Sequence, residues 1–411
     1  MCLSFLNNKP TKKPPPPPPL RIPSRNHHLF PPTPRTPTPS TSTTASTASS
    51  SFTSTLTRRS LSTLTSSPVI YSPTLLLSSI SHLRPFHRSS SSTSFHTHLS
   101  SHPVLIVLRR LRRHPPPNLR RLLPLLSRSH HLSLVSLLGA SLTDDNHRVL
   151  LVYEFVHGAS LKDCLRNVNN PGFTVLGTWI SRVRIAADVA HGVDYAHNCS
   201  VEGLGFVHNR IKSSSIVVTE PDLGAKLCHF GTAQLCGEVV DEGEEKKTMK
   251  STSRTKSGRF EGTRGYMSPE FKVSGVPTLK SDVFAFGVVL LELVSGEQPL
   301  GTWVDEDSGV IRTVSLIDTA REVVRAGGGG GGSNGMGRLR KWVDRRLRDS
   351  YPVDVAERLV KLAVDCCDDD PDRRPGMNVV AGMISKMYLE SKTWAEGFGG
   401  RNDITVSLAP R

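Results

Sequence analysis

Five residues in two short stretches have types and spacing that bear on catalysis. The first stretch, Phe206–Ile216, reads FVHNRIKSSSI and carries His208, Arg210, Lys212 and Ser215. The second, Lys226–Gly231, reads KLCHFG and carries His229 ahead of Phe230 and Gly231. Neither stretch contains Asp or Glu. They supply no carboxylate oxygen of the kind a hard divalent cation requires, and no metal site is expected here. Arg210 adds a fixed positive charge. Two unit charges about 4 Å apart repel by roughly 1–4 kcal/mol between water-like and surface-like surroundings, and a doubly charged ion would feel twice that.

Six short pieces of the chain follow one another in a recognisable order. They are VYEF (152–155), VHNRIK (207–212), HFG (229–231), GTRGYMSPE (262–270), SDVFAFG (281–287) and DPDRRP (370–375). Together they resemble the protein kinase superfamily over about residues 119–390, in a form similar to plant receptor-like and receptor-like cytoplasmic Ser/Thr kinases. In that family the first stretch reads H-R-D-x-K-x-x-N and the second D-F-G. The resemblance puts Arg210 in the slot of the catalytic base, and Ser215 and His229 in the two metal slots. Lys212 matches the lysine that contacts the transferred phosphate, and His208 the histidine that packs behind the loop. No G-x-G-x-x-G occurs before residue 131. The apolar run VLIVL (104–108) with Arg109 and Arg110 after it reads either as a degraded copy of the strand that ends in the nucleotide-gripping lysine or as a chance apolar run beside a basic patch, and Leu122 fills the slot of that lysine's glutamate partner. Tyr153 takes the gatekeeper place, and Glu154 and Phe155 continue into the hinge where a nucleotide would bind. The residues that hold such a lobe together are all present: Phe230, Gly231, Glu270 and Arg374 as an ion pair, and Asp282 tying down the catalytic loop.

The resemblance thus implies a catalytically impaired kinase-like protein, a pseudokinase. It would act as a signalling adaptor or regulator of an active receptor-like kinase. The alternative is a weak or unconventional ATP-dependent Ser/Thr kinase, and a third reading is a relic of the fold without activity. Loss of the base alone costs about 10²–10⁴ in rate. No cofactor is expected, with ATP and Mg²⁺ bound weakly at best. The implied partner is an active kinase or a receptor's cytoplasmic part.

Charge divides the chain. Before Asp144 there are 17 Lys and Arg and no acidic residue, while the remainder holds 34 basic and all 36 acidic residues. The net charge of +15 therefore belongs to the N-terminal region. Residues 1–103 are expected to form a disordered basic tail, with the six prolines of 14–19 in an extended helix and Ser/Thr-rich tracts at 39–67 and 89–101. An organelle transit segment and binding to an acidic membrane surface are competing readings of the same composition. No specific nucleic acid is expected. Seven cysteines without a C-x-x-C pair argue against a disulfide framework or a zinc site. The most apolar stretch, 68–80, is broken by Ser and Pro and falls short of the roughly 18–20 residues of a membrane span. Cys2, in place of a glycine after the initiator Met, is a candidate for acylation. A cytoplasmic location is expected, with the inner face of the plasma membrane within reach.

The expected fold is α+β: a kinase-like domain over 104–395 behind the disordered basic tail. A reduced β N-lobe fills 104–158 and a largely α-helical C-lobe 159–395. The first two strands are expected to be missing, leaving an open sheet edge. Pro124 argues against a proper helix over 118–128, since proline inside a helix costs about 3 kcal/mol. Trp179–Asn198 has the period of an amphipathic helix. Glu238–Lys256 is expected to be mobile. The six glycines of 327–332 mark a flexible insertion spanning about 326–337, and 396–411 a flexible end.

Overall fold

The apolar run VLIVL forms a strand buried on both faces, and the first half of the fold is built around it. The computed structural model describes residues 69–89, 91–112, 117–198, 205–239, 262–304, 311–327 and 333–399. All lie in the second of the two units into which the chain divides, Thr63–Arg411. The expected tail up to residue 68, most of the Glu238–Lys256 segment, the heart of the polyglycine stretch and the end from residue 400 lie outside the described residues.

The sheet lobe contains β1 (Val69–Ile70), α1 (Pro73–Ile80), β2 (His87–Arg88), β3 (Ser92–Leu99), β4 (His102–Arg110), α2 (Leu119–Arg128), β5 (Leu137–Leu142) and β6 (Arg148–Glu154). The six strands lie in the order β1-β5-β6-β4-β3-β2, with only β1 and β5 parallel. Alternation along β4 sends Val104 and Ile106 to one face, where α1 covers them with Leu76 and Ile80. Val107 faces the main core with Leu151 and Tyr153 of β6. A strand covered on both faces reads as a continuous apolar run, which is why its period is invisible in sequence.

Three expectations need correction here. The boundary at residue 103 falls inside β4, and the ordered sheet begins at Val69. The two strands expected to be missing are present as β2 and β3. In β3 the sequence STSFHTHL carries little apolar signal, but Thr and Phe favour strands and β4 offers a complete ladder, from Ser92–Arg109 to Leu99–His102. Helix α2 forms despite Pro124. Asn118 caps it by accepting from Arg121 N–H at 3.2 Å, and Leu119, Leu123 and Leu126 are buried in the core. Burial of each such side chain contributes roughly 1.5–3 kcal/mol, enough to offset the lost hydrogen bond.

The helical lobe starts with β7 (Gly158–Ser160), α3 (Leu161–Arg166) and α4 (Trp179–Asn198), the helix expected from its period. It continues with β8 (Ile216–Thr219), β9 (Ala225–Leu227), α5 (Thr232–Leu235), α6 (Pro269–Ser274) and α7 (Leu279–Ser295). The hairpin of β10 (Leu300–Val304) and β11 (Ile311–Ser315) leads to α8 (Leu316–Gly327), α9 (Ser333–Trp342), α10 (Val353–Cys366) and α11 (Met377–Gly399). Helix α7 is the axis of this lobe and is buried almost throughout. A capping box between Thr278 and Ser281 starts it, and Gly296, at φ 76°, ends it. Gly287 lets α10 approach: a Cβ there would meet Cys367 Sγ at 2.7 Å and Ala363 O at 2.9 Å. Cys366 and Cys367 are buried free thiols. The fully buried Arg182 of α4 donates to Leu176 O, Leu293 O and Asp344 Oδ2 at 2.8, 2.9 and 2.6 Å.

Candidate functional site: a cationic cleft on a retained frame

The catalytic-loop stretch is held from below by Asp282 of α7. Its Oδ2 accepts from His208 N–H at 2.6 Å and its Oδ1 from Asn209 N–H at 2.8 Å. His197 Nε2 lies 3.1 Å from Oδ2. This pins a strained backbone: Asn209 has φ 57°. His229 in the second stretch has φ 74°. Asn and His are among the few types enriched in that region. His208 is buried, and its Nδ1 accepts from Arg210 N–H at 3.2 Å. Burial pushes its imidazole down to about 4, so it is neutral near pH 7.

Lower in the loop a second carboxylate, Glu292 of α7, gathers three elements. It accepts from Arg166 at 2.5 Å, Ser213 Oγ at 2.8 Å and Tyr266 O–H at 2.7 Å. Glu270 and Arg374 form a two-pronged pair at 2.7 Å on each arm, with the Arg374 side chain fully buried. Phe230 is buried against Phe206, edge to face at 6.0 Å, and Gly231, at φ 78°, packs on Leu126 of α2.

Facing the cleft the picture inverts. Arg109 of β4, buried, points inward and donates to Ser91 Oγ at 3.3 Å, in the serine turn that joins β2 to β3. Its Nη2 lies 3.6 Å from Glu238 Oε1. Arg210 pairs with the same oxygen, and Asn209 Nδ2 donates to Oε2 at 2.8 Å. Lys212 Nζ donates to Thr263 Oγ1 at 3.2 Å. Desolvation and the neighbouring Arg210 and Arg109 lower its ammonium pKa. His229 is held well below the usual imidazole range by burial first, then by the charges of Arg109 and Arg210. Ser215 is buried in the turn after Lys212. Leu122 of α2 packs partly buried against the core, and α2 carries no acidic residue.

These donors do not fit a magnesium ion. The three slots expected to hold metal or base are a neutral imidazole, a hydroxyl and a guanidinium, whereas Mg²⁺ is usually held by one or two carboxylates together with substrate phosphates and water. No group of three or more His, Cys, Asp and Glu that could hold a metal occurs among the described residues. Glu238, expected at the start of a mobile segment, is instead 7% exposed and fixed by two arginines and an asparagine. Sequence offered one signal for it: Glu238 is the first acidic residue after the HFG stretch.

The hinge residues are engaged internally. The Tyr153 hydroxyl donates to Phe230 O at 2.9 Å and lies 2.8 Å from Thr232 Oγ1. Glu154 accepts from Lys226 Nζ at 2.7 Å and Ser136 N–H at 3.1 Å. Phe155 stacks on His96 of β3 at 3.9 Å and meets Phe86 edge to face at 6.1 Å.

A sequence model of the protein tyrosine and serine/threonine kinase family matches residues 116–384. The chain belongs to the protein kinase family. Its curated relatives include LysM domain receptor-like kinase 3 of Arabidopsis thaliana, 34% identical over 290 residues, which are 69% of this chain and 40% of that one. The probable serine/threonine-protein kinase PBL28 of the same plant is 34% identical over 278 residues, 67% of this chain and 64% of that one. The chain thus spans less than two thirds of the length of either relative. Among solved structures, the pseudokinase domain of BIR2, an immune regulator of the RLK/Pelle family, superposes with a TM-score of 0.55 at 21% identity. The match covers 77% of this chain and 85% of that one, and it shows a common fold. In kinase terms the sheet lobe is the N-lobe, the helical lobe is the C-lobe and α2 is the helix that normally carries the glutamate partner of the nucleotide-gripping lysine. No helix among the described residues is long and apolar enough to cross a membrane.

Proposed function

We propose that this chain is a pseudokinase, a kinase-fold protein that has lost phosphoryl transfer and acts as an adaptor or regulator of an active receptor-like kinase. One observation carries the reading. Arg210 stands in the slot of the general base and is paired with Glu238, while Asp282 still holds the backbone of the same loop. Kinase catalysis is mostly positioning and neutralisation of charge through metal-bridged phosphates. A cleft of arginines on an intact frame supports a folded binding surface and opposes that reaction. The partner on this reading is an active kinase or the cytoplasmic part of a receptor. The acid-free N-terminal region adds attraction to an acidic membrane, which favours the cytoplasmic face.

The test is transfer of radiolabelled phosphate from Mg²⁺-ATP to the purified full chain and to a generic protein substrate, beside co-purification from plant tissue. No incorporation, together with recovery of a kinase or receptor, is the expected result. Incorporation that Lys212→Ala abolishes would overturn the reading, and failure to recover any kinase or receptor would count against the adaptor role. A weak Ser/Thr kinase is the second reading, favoured by the Lys212–Thr263 hydrogen bond across the loop and the segment that precedes α6.

A further inference from the structure

The sheet lobe has a second face, turned away from the cleft. Helix α1 covers part of it, seating Leu76 and Ile80 on Val104 and Ile106 of β4 and on Leu150 and Val152 of β6. Beyond the helix the same face turns cationic. Alternation along β4 carries Leu108 and Arg110 to the side of Val104 and Ile106, and along β6 it puts Arg148 on the side of Leu150. The register sets Arg110 directly opposite Arg148. It also sets Leu108 opposite Thr93 of β3, which in turn faces Arg88 of β2. Arg88, Arg110 and Arg148 are exposed, and among the described residues none of them forms an ion pair with a carboxylate. Asp145, in the turn before β6, feels the charge of Arg148, but its carboxylate accepts from Thr143 Oγ1 and from His147 N–H. Like charges directly opposite each other weaken a ladder, so the Arg110–Arg148 pair costs stability until an anion lies over it.

The composition extends the pattern. From Val69 to Thr143 the sequence holds nine arginines and no acidic residue, so only eight of the 17 cations before Asp144 precede this lobe. Beside these charges α1 turns apolar side chains to solvent. Leu75 is 54% exposed and Leu77 is 37% exposed, on either side of the outward positions Thr74 and Ser78. Guanidinium groups spread over a sheet, with leucines on a helix laid across it, match a lipid surface. Acidic head groups take the arginines, and the leucines reach the acyl boundary. A dissolved anion would take the arginines and leave the leucines in water.

We propose that the outer face of the sheet lobe is a docking surface for an acidic lipid bilayer, with Arg88, Arg110 and Arg148 on the head groups and Leu75 and Leu77 of α1 at the acyl boundary. Every one of these residues except Arg148 precedes residue 116, where the match to the family begins. The surface gives the membrane attraction of the proposed function a folded site. It rests on that attraction and is independent of the loss of phosphoryl transfer.

The experiment is co-sedimentation of the full chain with vesicles of phosphatidylcholine, either alone or with about 30% phosphatidylserine. Wild type is compared with the triple variant Arg88→Gln, Arg110→Gln, Arg148→Gln and with the double variant Leu75→Gln, Leu77→Gln. Wild type is expected to bind the acidic vesicles and not the neutral ones. Each arginine at the surface contributes about 5-fold, so the triple variant binds up to about 100-fold more weakly. The double variant binds about 10-fold more weakly, the mark of apolar insertion. Unchanged binding in the triple variant overturns the site and assigns the attraction to residues 1–68. A loss in the triple variant with none in the double variant overturns the bilayer as occupant and leaves a surface for an acidic protein. Equal binding to neutral vesicles overturns the role of charge. Should the triple variant fail to fold, Arg110→Gln alone decides: about 5-fold weaker binding supports the site, and unchanged binding overturns it. Phosphate transfer by the wild-type chain would overturn the pseudokinase reading and leave this surface standing.

Discussion

The two sides of the catalytic loop differ in kind. On the side facing α7, the carboxylates of Asp282 and Glu292 and the Glu270–Arg374 pair hold backbone and side chains in a hydrogen-bonded network. On the side facing the cleft, Arg210, Ser215 and His229 stand where the proposed function puts the base and metal slots, and Glu238 pairs with Arg109 and Arg210. Side chains that fix the fold and side chains that do the chemistry sit on the same few residues of backbone. Each set is held by its own partners, the first by α7 and the second by Glu238.

Breaking the frame should have the largest effect. Arg374→Ala removes a buried guanidinium and its hydrogen bonds to Glu270 and to the carbonyls of Lys280 and Asp368. A loss of about 3–5 kcal/mol is expected, read as a lower midpoint in urea unfolding. A loss below about 1 kcal/mol would mean that this pair does not hold the lobe. Next comes Gly287→Ala. The new methyl would press on Cys367, Cys366 and the Ala363 carbonyl, and overpacking of this kind costs about 1–3 kcal/mol by the same measurement.

The cleft contributes a smaller, pH-dependent effect. His208 and His229 are both held neutral, His208 by burial that brings it to about 4. In the unfolded chain they titrate near 6.5. As pH falls from about 6.5 toward 4, the unfolded state takes up protons that the folded state does not, so stability falls, by at most about 1.4 kcal/mol per pH unit for each histidine. Glu270 acts in a lower window. Burial raises its carboxyl, but hydrogen bonds from Arg374 and Ser268 bring it below the ordinary 4.5. Its contribution is present above about 4.5 and is lost as pH falls through its lower folded value. Melting temperature against pH, with His208→Gln flattening part of the upper window, checks the assignment. A melting temperature that stays constant down to about pH 5 would contradict it.

The smallest expected effect is none. Arg210→Asp restores the type of the base and leaves Ser215 and His229 in the metal slots. It is expected to yield no phosphate transfer in the radiolabel assay, and measurable transfer would place the block at the base alone.

The sequence made the helical lobe legible because its motifs are local and its helices periodic: Trp179–Asn198 forms the helix its period predicts, and the pieces after it lie within the matched family region. It also points to the cleft residues on which the proposed function rests, since each slot is set by neighbours within a few residues. The small lobe was harder to read. The strand β3 is mostly Ser, Thr and His, takes its ladder partners from β4, and lies well before VYEF, the first of the recognised pieces. Helix α2 overcomes Pro124 through buried leucines, which is a tertiary effect. Glu238 belongs to the cleft through contacts with residues 28, 29 and 129 positions earlier, and local pattern does not register pairs at such separations.

The measurement that tests the central claim most directly is the melting temperature of the full chain with and without millimolar Mg²⁺-ATP. A ligand at 100 times its dissociation constant adds about 2.7 kcal/mol of stability, a shift of several degrees for a chain of this size. A cleft with an intact frame and no metal slot predicts no magnesium-dependent shift. A shift that appears with Mg²⁺-ATP and vanishes on chelation would contradict that prediction, because it would require the metal to be held where Arg210, Ser215 and His229 now stand.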